Sequence, residues 1–346
     1  MLDSSGMAAA RRVVLVTGVE YRKAEGVFQS EAALQCEPAP DDETELAGAV
    51  RARGASHAIV GSRRYGGSLY EALPAGGVIA RFGVGYDGID TGRATAAGLL
   101  CTNTPGVLNQ SVAEHTMLLV AAAARPLLST SANMTRHVWD PLPGVELHGK
   151  TLAIVGCGGI GRAVARIAAL GYGMRVVCCS RPGLVAPVAP EHADGITNDF
   201  AIAARQADFV SLHMTASPEN VHFINRERLT HLDERSWLIN TARGSIVDEV
   251  ALFEALSNRR LGGAALDVFE REPYVPAAGG GDLRSLSNVI LTPHVGSNTA
   301  AANRRMAERA LQNVAWAEAR AFAQMDLLNP EVLRGTPSEP EPDSLQ

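Results

Sequence analysis

The most constraining feature of this sequence is a glycine-rich turn at residues 156–161, which lies between the apolar run TLAIV and the helical segment RAVARIAAL. In a strand–turn–helix unit of this kind, the first glycine makes a tight turn and the second lets the backbone approach a diphosphate. The third lets the helix pack closely on the strand, and the diphosphate sits at the positive helix N-terminus. The turn therefore predicts a bound dinucleotide with five contacts: Gly156, Gly158, Gly159, Ile160 and Gly161.

The segments around this turn alternate between strand and helix patterns. Six strand candidates occur in the second half of the chain, at residues 151–156, 174–180, 207–214, 236–242, 262–269 and 288–294. Helical segments separate the first five. Strands that are linked by crossover helices pair in parallel, with right-handed connections. This half is therefore predicted to be an α/β domain with a doubly wound parallel sheet of the Rossmann type.

The N-terminal part of the chain repeats this alternation less regularly. Strands are predicted at residues 11–18, 57–62 and 76–85, a helix at 41–54 and a turn at 101–106. A long alanine-rich helix is predicted at 111–128, with Ser111 as its N-cap and Glu114 completing a capping box. A second alanine-rich helix, at 298–323, would return the chain to the first domain. The acidic, proline-rich end of the chain is predicted to be disordered.

Composition argues against several classes of protein. The formal net charge is −6, from 31 basic and 37 acidic residues, and nucleic-acid binding needs a basic face. The five cysteines form no CxxC pair, so no disulfide framework and no metal site are predicted, and Cys178 and Cys179 are expected in the core. The N-terminus lacks the apolar stretch of a signal peptide, and the run Met117–Ala124 is too short to span a bilayer. We therefore expect a cytoplasmic protein with no membrane partner.

The end of the strand after the glycine-rich turn bears on the choice of dinucleotide. NAD-binding units carry an acidic residue there, about 20 residues beyond the turn, for the ribose 2′-hydroxyl. This chain has Ser180 and Arg181 instead, a hydroxyl and a guanidinium that suit a 2′-phosphate. The sequence therefore predicts NADP as the preferred cofactor. If Arg181 is only a solvated turn residue, the protein would accept NAD as well.

Three polar side chains follow the last three predicted strands. Arg243 stands in NTARG, Glu272 in DVFEREP and His294 in LTPHVG. Because the carboxyl ends of parallel strands line one crevice, the three side chains should meet there. Taken singly, each has a plainer interpretation as a surface charge or a core histidine. Their occurrence at three successive strand ends favours a joint site.

These segments closely resemble the D-isomer-specific 2-hydroxyacid dehydrogenase family. The resemblance runs from about residue 55 to 320 and rests on the motifs RFGVGYDGID, NTPGVLNQSVAEH, GKTLAIVGCGGIGR, INTARGSIVDE, ALDVFEREP and LTPHVGSNT. It implies a smaller, flavodoxin-like α/β substrate domain at residues 1–110 and 296–335 and a dinucleotide-binding domain at 111–295, followed by a tail at 336–346. It also implies a homodimer that forms through the coenzyme domains.

The resemblance further implies that Arg243, Glu272 and His294 are the catalytic set. The chemistry of reducing a small 2-keto acid agrees, because Arg243 offers a guanidinium fork to the substrate carboxylate and His294 can donate a proton to the alkoxide. Glu272 would orient His294 and favour its protonated form. The backbone amides of Val84 and Gly85 would also hold the substrate carboxylate. Further cofactor contacts are expected at Ser180, Arg181, His213, Met214, Thr241, Asp267, His294 and Gly296.

The sequence leaves the identity of the keto acid open. Reduction of glyoxylate or hydroxypyruvate is favoured, because Arg beyond the second strand is common in that subgroup. Glu272 argues against formate dehydrogenases, which usually pair the histidine with Gln. A D-3-phosphoglycerate dehydrogenase that uses NAD, and a nucleotide-sensing corepressor, are alternatives. Residues 63–65, Arg-Arg-Tyr, are candidates for contact with the substrate tail, and Gly88 departs from the family pattern, in which Asn is common.

Overall fold

Two parallel sheets organise the chain, and each belongs to its own unit. The computed structural model describes residues 11–180 and 192–335, so the predicted disordered tail at 336–346 lies outside the described residues. The division falls after Leu108 and after Thr299, which gives unit 1 both ends of the described chain and unit 2 its middle. No helix within the described ranges is both long and apolar enough to cross a membrane.

The described residues contain twelve strands and twelve α-helices. The strands are β1 (Arg12–Thr17), β2 (Leu34–Ala39), β3 (His57–Val60), β4 (Val78–Arg81), β5 (Leu100–Thr102), β6 (Thr151–Val155), β7 (Arg175–Cys179), β8 (Gly195–Thr197), β9 (Phe209–Leu212), β10 (Trp237–Asn240), β11 (Gly263–Leu266) and β12 (Val289–Leu291). The helices are α1 (Gly18–Lys23), α2 (Glu25–Ser30), α3 (Glu43–Arg53), α4 (Ser68–Ala72), α5 (Thr91–Ala96), α6 (Asn109–Ala124), α7 (Leu127–Thr135), α8 (Gly159–Tyr172), α9 (Phe200–Ala204), α10 (Arg226–Leu229), α11 (Glu249–Ser257) and α12 (Ala300–Glu318).

The sheet of unit 1 has five strands in the order β2-β1-β3-β4-β5, which is the flavodoxin-like order. All of its strand pairs are parallel. The strands β3 and β4 are buried along their whole length, as expected for parallel strands that helices cover on both faces. Helix α3 confirms the predicted helix at 41–54: the Asp42 side chain caps its N-terminus, and Gly54 ends it in the left-handed conformation.

The sheet of unit 2 has seven strands in the order β12-β11-β10-β9-β6-β7-β8, and every pair is parallel. The strand order reverses between β6 and β9, which are neighbours in the sheet. Ligands of doubly wound sheets bind outside the carboxyl ends of the strands at such a switch point. The two parallel sheets confirm the predicted α/β fold class.

Three strands differ from the sequence-based prediction. Strand β8 makes seven strands in unit 2 where six were predicted, and β2 was not predicted at all. Strand β5 occupies the start of the segment predicted as a turn at 101–106. These strands are short or poor in β-branched residues, with the sequences GIT, LQCEPA and LCT. Their pairing with a neighbouring strand, rather than their own propensity, makes them strands.

The long helices also differ in their bounds. Helix α6 begins at Asn109, so the predicted N-cap at Ser111 is wrong: its hydroxyl lies inside the helix, 2.9 Å from that of Thr299. Glu114 makes no capping box, because its carboxylate accepts a hydrogen bond from Gln110. The helix ends before Pro126, which cannot continue it. The predicted helix at 298–323 is α12, which ends earlier, at Glu318.

The two faces of the unit 2 sheet pack into separate hydrophobic cores. On β6, Val155 faces one core and Ile154 faces the other. Strand β7 alternates in the same way, with Cys179 in the first core and Cys178 in the second. Both cysteines are buried, which confirms their predicted core positions.

Candidate active site

The glycine-rich turn after β6 has a backbone that excludes larger residues at its first and last glycines. Gly156 has a φ of +100°, and a Cβ on it would lie 2.5 Å from the carbonyl oxygen of His213. A Cβ on Gly161 would lie 2.2 Å from the carbonyl oxygen of Gly156. Helix α8 therefore approaches the end of β6 more closely than any side chain would allow.

The first turn of α8 offers a place for an anion. Gly158 is the N-cap residue of α8, and no described side chain caps the helix there. A Cβ on Gly158 would meet no described atom within 4 Å, so the space beside this residue is open. Amide groups at a helix N-terminus attract negative charge. The residues present therefore fit the diphosphate of a nicotinamide dinucleotide, and Gly159 and Ile160 continue the same turn.

The ends of β7 and β9 adjoin this turn. The amide of Gly156 donates to the carbonyl oxygen of Cys179 at 2.9 Å, and the next residue, Ser180, donates its own amide to β8. At the end of β9, burial lowers the pKa of His213 to about 4, so its ring is neutral at neutral pH. Arg181 lies outside the described residues. Cofactor contact stays a prediction for Ser180, Arg181, His213, Met214, Thr241 and Gly296.

A histidine and a carboxylate are hydrogen-bonded beyond the ends of β11 and β12. Nδ1 of His294 lies 2.7 Å from Oε2 of Glu272, and each side chain is 33% exposed. The other carboxylate oxygen of Glu272 accepts the backbone N–H of Phe269 at 3.0 Å, which fixes its orientation. Among the described residues, Nε2 of His294 has no hydrogen-bond partner. A protonated ring could therefore release its proton from Nε2 while Glu272 holds Nδ1.

Asp267 holds the loop that carries His294. His294 has a φ of +54°, in the left-handed region that few residues other than glycine adopt. Asp267 is buried at the end of β11 and accepts three hydrogen bonds of 2.5–2.9 Å from residues 292–296. Burial alone would raise the pKa of Asp267, but these bonds and one from His115 outweigh it and lower the pKa. Asp267 thus positions the His294 loop, and its contact with the nicotinamide stays a prediction.

Arg243 follows β10 on a turn that Asn240 shapes. The buried side chain of Asn240 donates to the carbonyl oxygen of Arg243 at 2.9 Å and accepts the amide of Ala242 at 3.0 Å. A Cβ on Gly244 would lie 1.8 Å from the backbone of Phe269, so this turn touches the loop that carries Glu272. Sequence reasoning missed Asn240, although an amide side chain just before a turn is a recognisable signal.

A second carboxylate network, also missed from the sequence, braces the Glu272 loop. Glu249, at the start of α11, and Glu270 each accept the other's backbone N–H, at 2.7 and 3.0 Å. Glu270 also lies 3.1 Å from Nε2 of His222. Burial raises the pKa of Glu249, and the nearby charges of Glu270 and Glu272 add to this effect. An acidic residue at a helix start usually indicates only a favourable helix dipole, so the sequence held no specific signal.

In unit 1, Val84 and Gly85 lie on the loop after β4. The carbonyl oxygen of Val84 accepts a hydrogen bond from the Asn103 side chain at 2.7 Å, and that of Gly83 accepts the amide of Thr104 at 3.0 Å. These bonds anchor the loop to the end of β5. Within the described chain, the amides of Val84 and Gly85 have no partner, and adjacent free amides suit an anion. Their role in binding the substrate carboxylate stays a prediction.

The basic turn after β3, also in unit 1, contains three candidate residues that differ in how exposed they are. Tyr65 is buried in the core of the unit, and its amide donates to the carbonyl oxygen of Gly88 at 2.9 Å. Arg63 and Arg64 are exposed. A Cβ on Gly88 would lie 2.2 Å from the carbonyl oxygen of Arg63, which explains why Asn does not stand there. Tyr65 thus packs in the core of unit 1, and substrate contact by any of the three residues stays a prediction.

A family model matches the part of the chain that contains this site. The model described as "D-isomer specific 2-hydroxyacid dehydrogenase, NAD binding domain" matches residues 117–296. The match includes the glycine-rich turn after β6. It also includes Arg243, Glu272 and His294.

Individual relatives and solved structures agree with this match. The glyoxylate reductase of Thermococcus litoralis is 39% identical over 278 residues, which cover 78% of this chain and 82% of the relative. The D-3-phosphoglycerate dehydrogenase of Methanocaldococcus jannaschii is 39% identical over 224 residues, 64% of this chain and 42% of the relative. The solved structure of an NADPH-dependent glyoxylate/hydroxypyruvate reductase from Sinorhizobium meliloti, in complex with NADP and malonate, has a TM-score of 0.78 at 29% identity and covers 92% of this chain and 98% of that one.

Proposed function

Because the chain belongs to the D-isomer-specific 2-hydroxyacid dehydrogenase family, whose members are NAD(P)-dependent oxidoreductases, we propose that it uses NADPH to reduce glyoxylate or hydroxypyruvate. The product is the 2-hydroxy acid, of D configuration where it is chiral. The observation that carries this proposal is the His294–Glu272 pair, hydrogen-bonded at 2.7 Å and one-third exposed. It lies beyond the carboxyl ends of the sheet that also carries the glycine-rich turn.

The proposed mechanism assigns one task to each of the three side chains. The bound nicotinamide dinucleotide supplies the hydride. His294 donates a proton from Nε2 to the substrate oxygen as it becomes an alkoxide, and Glu272 stabilises the protonated ring through Nδ1. Arg243 binds the substrate carboxylate with its fork of donors and orients the keto carbon. The family pattern also assigns substrate contact to the amides of Val84 and Gly85.

A panel of keto acids tests the proposed substrate class. We expect the highest kcat/KM with glyoxylate or hydroxypyruvate and NADPH, followed as loss of absorbance at the wavelength of the reduced cofactor. The relative from Methanocaldococcus jannaschii gives the second candidate, D-3-phosphoglycerate oxidation with NAD. A clear preference for 3-phosphohydroxypyruvate with NADH would select that alternative. Tight NADPH binding without turnover of any keto acid would instead favour the nucleotide-sensing corepressor.

The proposed preference for NADP rests on Ser180 and Arg181, where NAD-binding units carry an acidic residue. The similar reductase from Sinorhizobium meliloti was solved with NADP. Arg181→Ala should raise the KM for NADPH and leave the KM for NADH nearly unchanged, because only NADPH carries the 2′-phosphate. Arg175→Ala, at the exposed start of β7, is the control and should change neither KM. Equal losses for both cofactors in Arg181→Ala would contradict phosphate binding by this residue.

The proposal includes a homodimer formed through unit 2. A run of large apolar side chains is exposed between residues 118 and 145, and helix α7 within it buries none of its residues. Trp139 is 83% exposed. Apolar surface of this kind on a folded unit favours a protein partner, and a second copy of the chain is the partner that the family pattern implies. Sedimentation should give the mass of a dimer, and Trp139→Glu should shift it towards the monomer.

A further inference from the structure

Cys157 occupies an unusual place, between the first two glycines of the dinucleotide turn. Its sulfur lies 3.9 Å from the carbonyl oxygen of Ile154 and 3.9 Å from that of Cys179. It is half-buried and packs against the same hydrophobic core as Cys178. Cys178 pairs with Ile154 in the sheet, so Cys157 and Cys178 lie on the same side of β7, towards the same core. Cys179 faces the other core.

The surroundings of the two thiols make them chemically different. A hydrogen bond with Cys178 lowers the pKa of Cys157 against the opposing effect of burial, and the nearby charge of Arg162 lowers it further. The same hydrogen bond, together with burial, raises the pKa of Cys178 far above its ordinary value. Cys157 also precedes the N-terminus of α8, where the helix dipole favours a thiolate. A partly exposed thiol of this kind beside a second cysteine is typical of oxidation-sensitive sites.

We propose that Cys157 is a peroxide-reactive modification site, that Cys178 resolves it to a disulfide, and that this disulfide prevents dinucleotide binding. The Cys157 thiolate attacks one peroxide oxygen, the O–O bond breaks, and hydroxide leaves as a sulfenic acid forms. The Cys178 sulfur then attacks the oxidised sulfur, and the sulfenic oxygen leaves as water. In total, two thiols are oxidised to one disulfide and one hydrogen peroxide is reduced to two waters.

The packing of the turn explains why binding would be lost. Gly156 lies against the backbone just after β9, and Gly161 lies against the turn itself, so Cys157 cannot move without a change in the backbone conformation of the turn. A covalent bond between the sulfurs of Cys157 and Cys178 would draw Cys157 towards β7. The amides that follow Cys157 then leave the positions in which they face the open space beside Gly158. A bound dinucleotide would in turn cover this turn and shield Cys157 from peroxide.

The experiment uses the full-length protein, hydrogen peroxide as oxidant and NADPH as ligand. Peptide mapping without reductant should find Cys157 linked to Cys178, and NADPH titration should show Kd raised by about tenfold or more. A dithiol reductant should restore binding, and NADPH present during oxidation should prevent the link. Because neither readout requires a keto acid, the test is independent of the proposed substrate.

Two matched variants remove neighbouring thiols from opposite faces of β7. Cys178→Ala should abolish the disulfide and leave a sulfenic acid on Cys157 that a dimedone probe captures. Cys179→Ala should behave as the wild-type protein. The proposal is overturned if no link between Cys157 and Cys178 forms in the wild-type protein, if the linked protein binds NADPH with unchanged Kd, or if the two variants respond alike.

Discussion

Unit 1 and unit 2 each contain a histidine hydrogen-bonded to a glutamate, and the two pairs differ in burial. In unit 1, Nε2 of His57 lies 2.9 Å from Glu318; in unit 2, Nδ1 of His294 lies 2.7 Å from Glu272. His57 is 1% exposed, whereas His294 is 33% exposed. His57 also accepts the backbone N–H of Val78 at Nδ1. Both of its ring nitrogens are therefore occupied, while the described contacts of His294 leave Nε2 available.

This difference separates a structural histidine from a chemical one. Because Nδ1 of His57 accepts a hydrogen bond, its proton must be on Nε2, and it donates this proton to Glu318. Glu318 also binds Arg12 at 3.2 Å. The His57 pair thus ties β3, β4 and β1 to the C-terminal end of α12. Burial and the state of the second ring nitrogen, rather than the carboxylate partner, decide which role a histidine can take.

The largest expected effect is a loss of turnover in the variant His294→Asn. Asn tolerates the positive φ at this position better than most residues, so the loop should keep its conformation while the proton donor is lost. We expect kcat to fall by roughly 10²–10⁴-fold, the usual contribution of a positioned general acid. NADPH Kd by fluorescence titration and Tm should stay near the wild-type values. An unchanged kcat would remove His294 from the mechanism.

The second-largest expected effect is a loss of stability in the variant His57→Leu. This change leaves the buried N–H of Val78 without an acceptor, which should lower the free energy of unfolding by about 1–3 kcal/mol. Each kcal/mol corresponds to a fall in Tm on the order of 2–4 °C. Calorimetry should show the loss, while kcat at a temperature where the variant is folded should stay near wild type. A turnover loss as large as that of His294→Asn would break the distinction between the two pairs.

A smaller effect concerns the pH dependence of the rate. Keto-acid reduction consumes the protonated imidazole of His294, so the rate should fall as pH rises. Glu272→Gln removes the charge that favours the protonated ring and should move this fall to lower pH. Glu318→Gln is the matched control and should leave the pH–rate profile in place. Equal shifts, or none, in the two variants would contradict the assignment.

The smallest effect is a pH dependence of stability that comes from His57. Burial lowers the pKa of His57 below its ordinary value of 6.5; Glu318 opposes this effect and Arg12 adds to it. The unfolded chain therefore binds the proton more tightly than the folded one, so the contribution of His57 is full above about pH 6.5 and is lost as pH falls below it. Tm measured from pH 7.5 to 5 should fall less steeply in His57→Leu than in the wild-type protein. Parallel curves would argue against a neutral, buried His57.

The sequence predicted the parts of unit 2 whose signals are local. A glycine turn between a strand and a helix has a fixed spacing, and residues just after strands lie at the same edge of a parallel sheet. Glu272 and His294 could therefore be predicted as neighbours, and the structure brings them to 2.7 Å. The positive φ of His294 and its support by Asp267 have no such signal, because they depend on hydrogen bonds between separate loops.

The features that the sequence did not predict depend on contacts between residues that are distant in the sequence. His57 stands in an apolar strand, and its partner Glu318 is 261 residues away, so nothing local distinguishes it from an ordinary core histidine. The start of α6 was misplaced for a similar reason: Ser111 has the chemistry of an N-cap, but its hydroxyl interacts with Thr299 instead. Strand β8 is only three residues long, too short for alternation to be recognised.

The contact between Gly88 and Arg63 also bears on how this chain could change by mutation. With the carbonyl oxygen of Arg63 only 2.2 Å from where a Cβ would lie, the residue common in the family cannot be restored at position 88 by a single substitution. Two changes would have to occur together, one at 88 and one that moves the turn at 62–65. A library that varies these positions one at a time would miss combinations that fold. Consensus design chooses each residue separately. It would therefore choose wrongly at position 88, because the residue that fits there depends on the backbone conformation of the turn at 62–65.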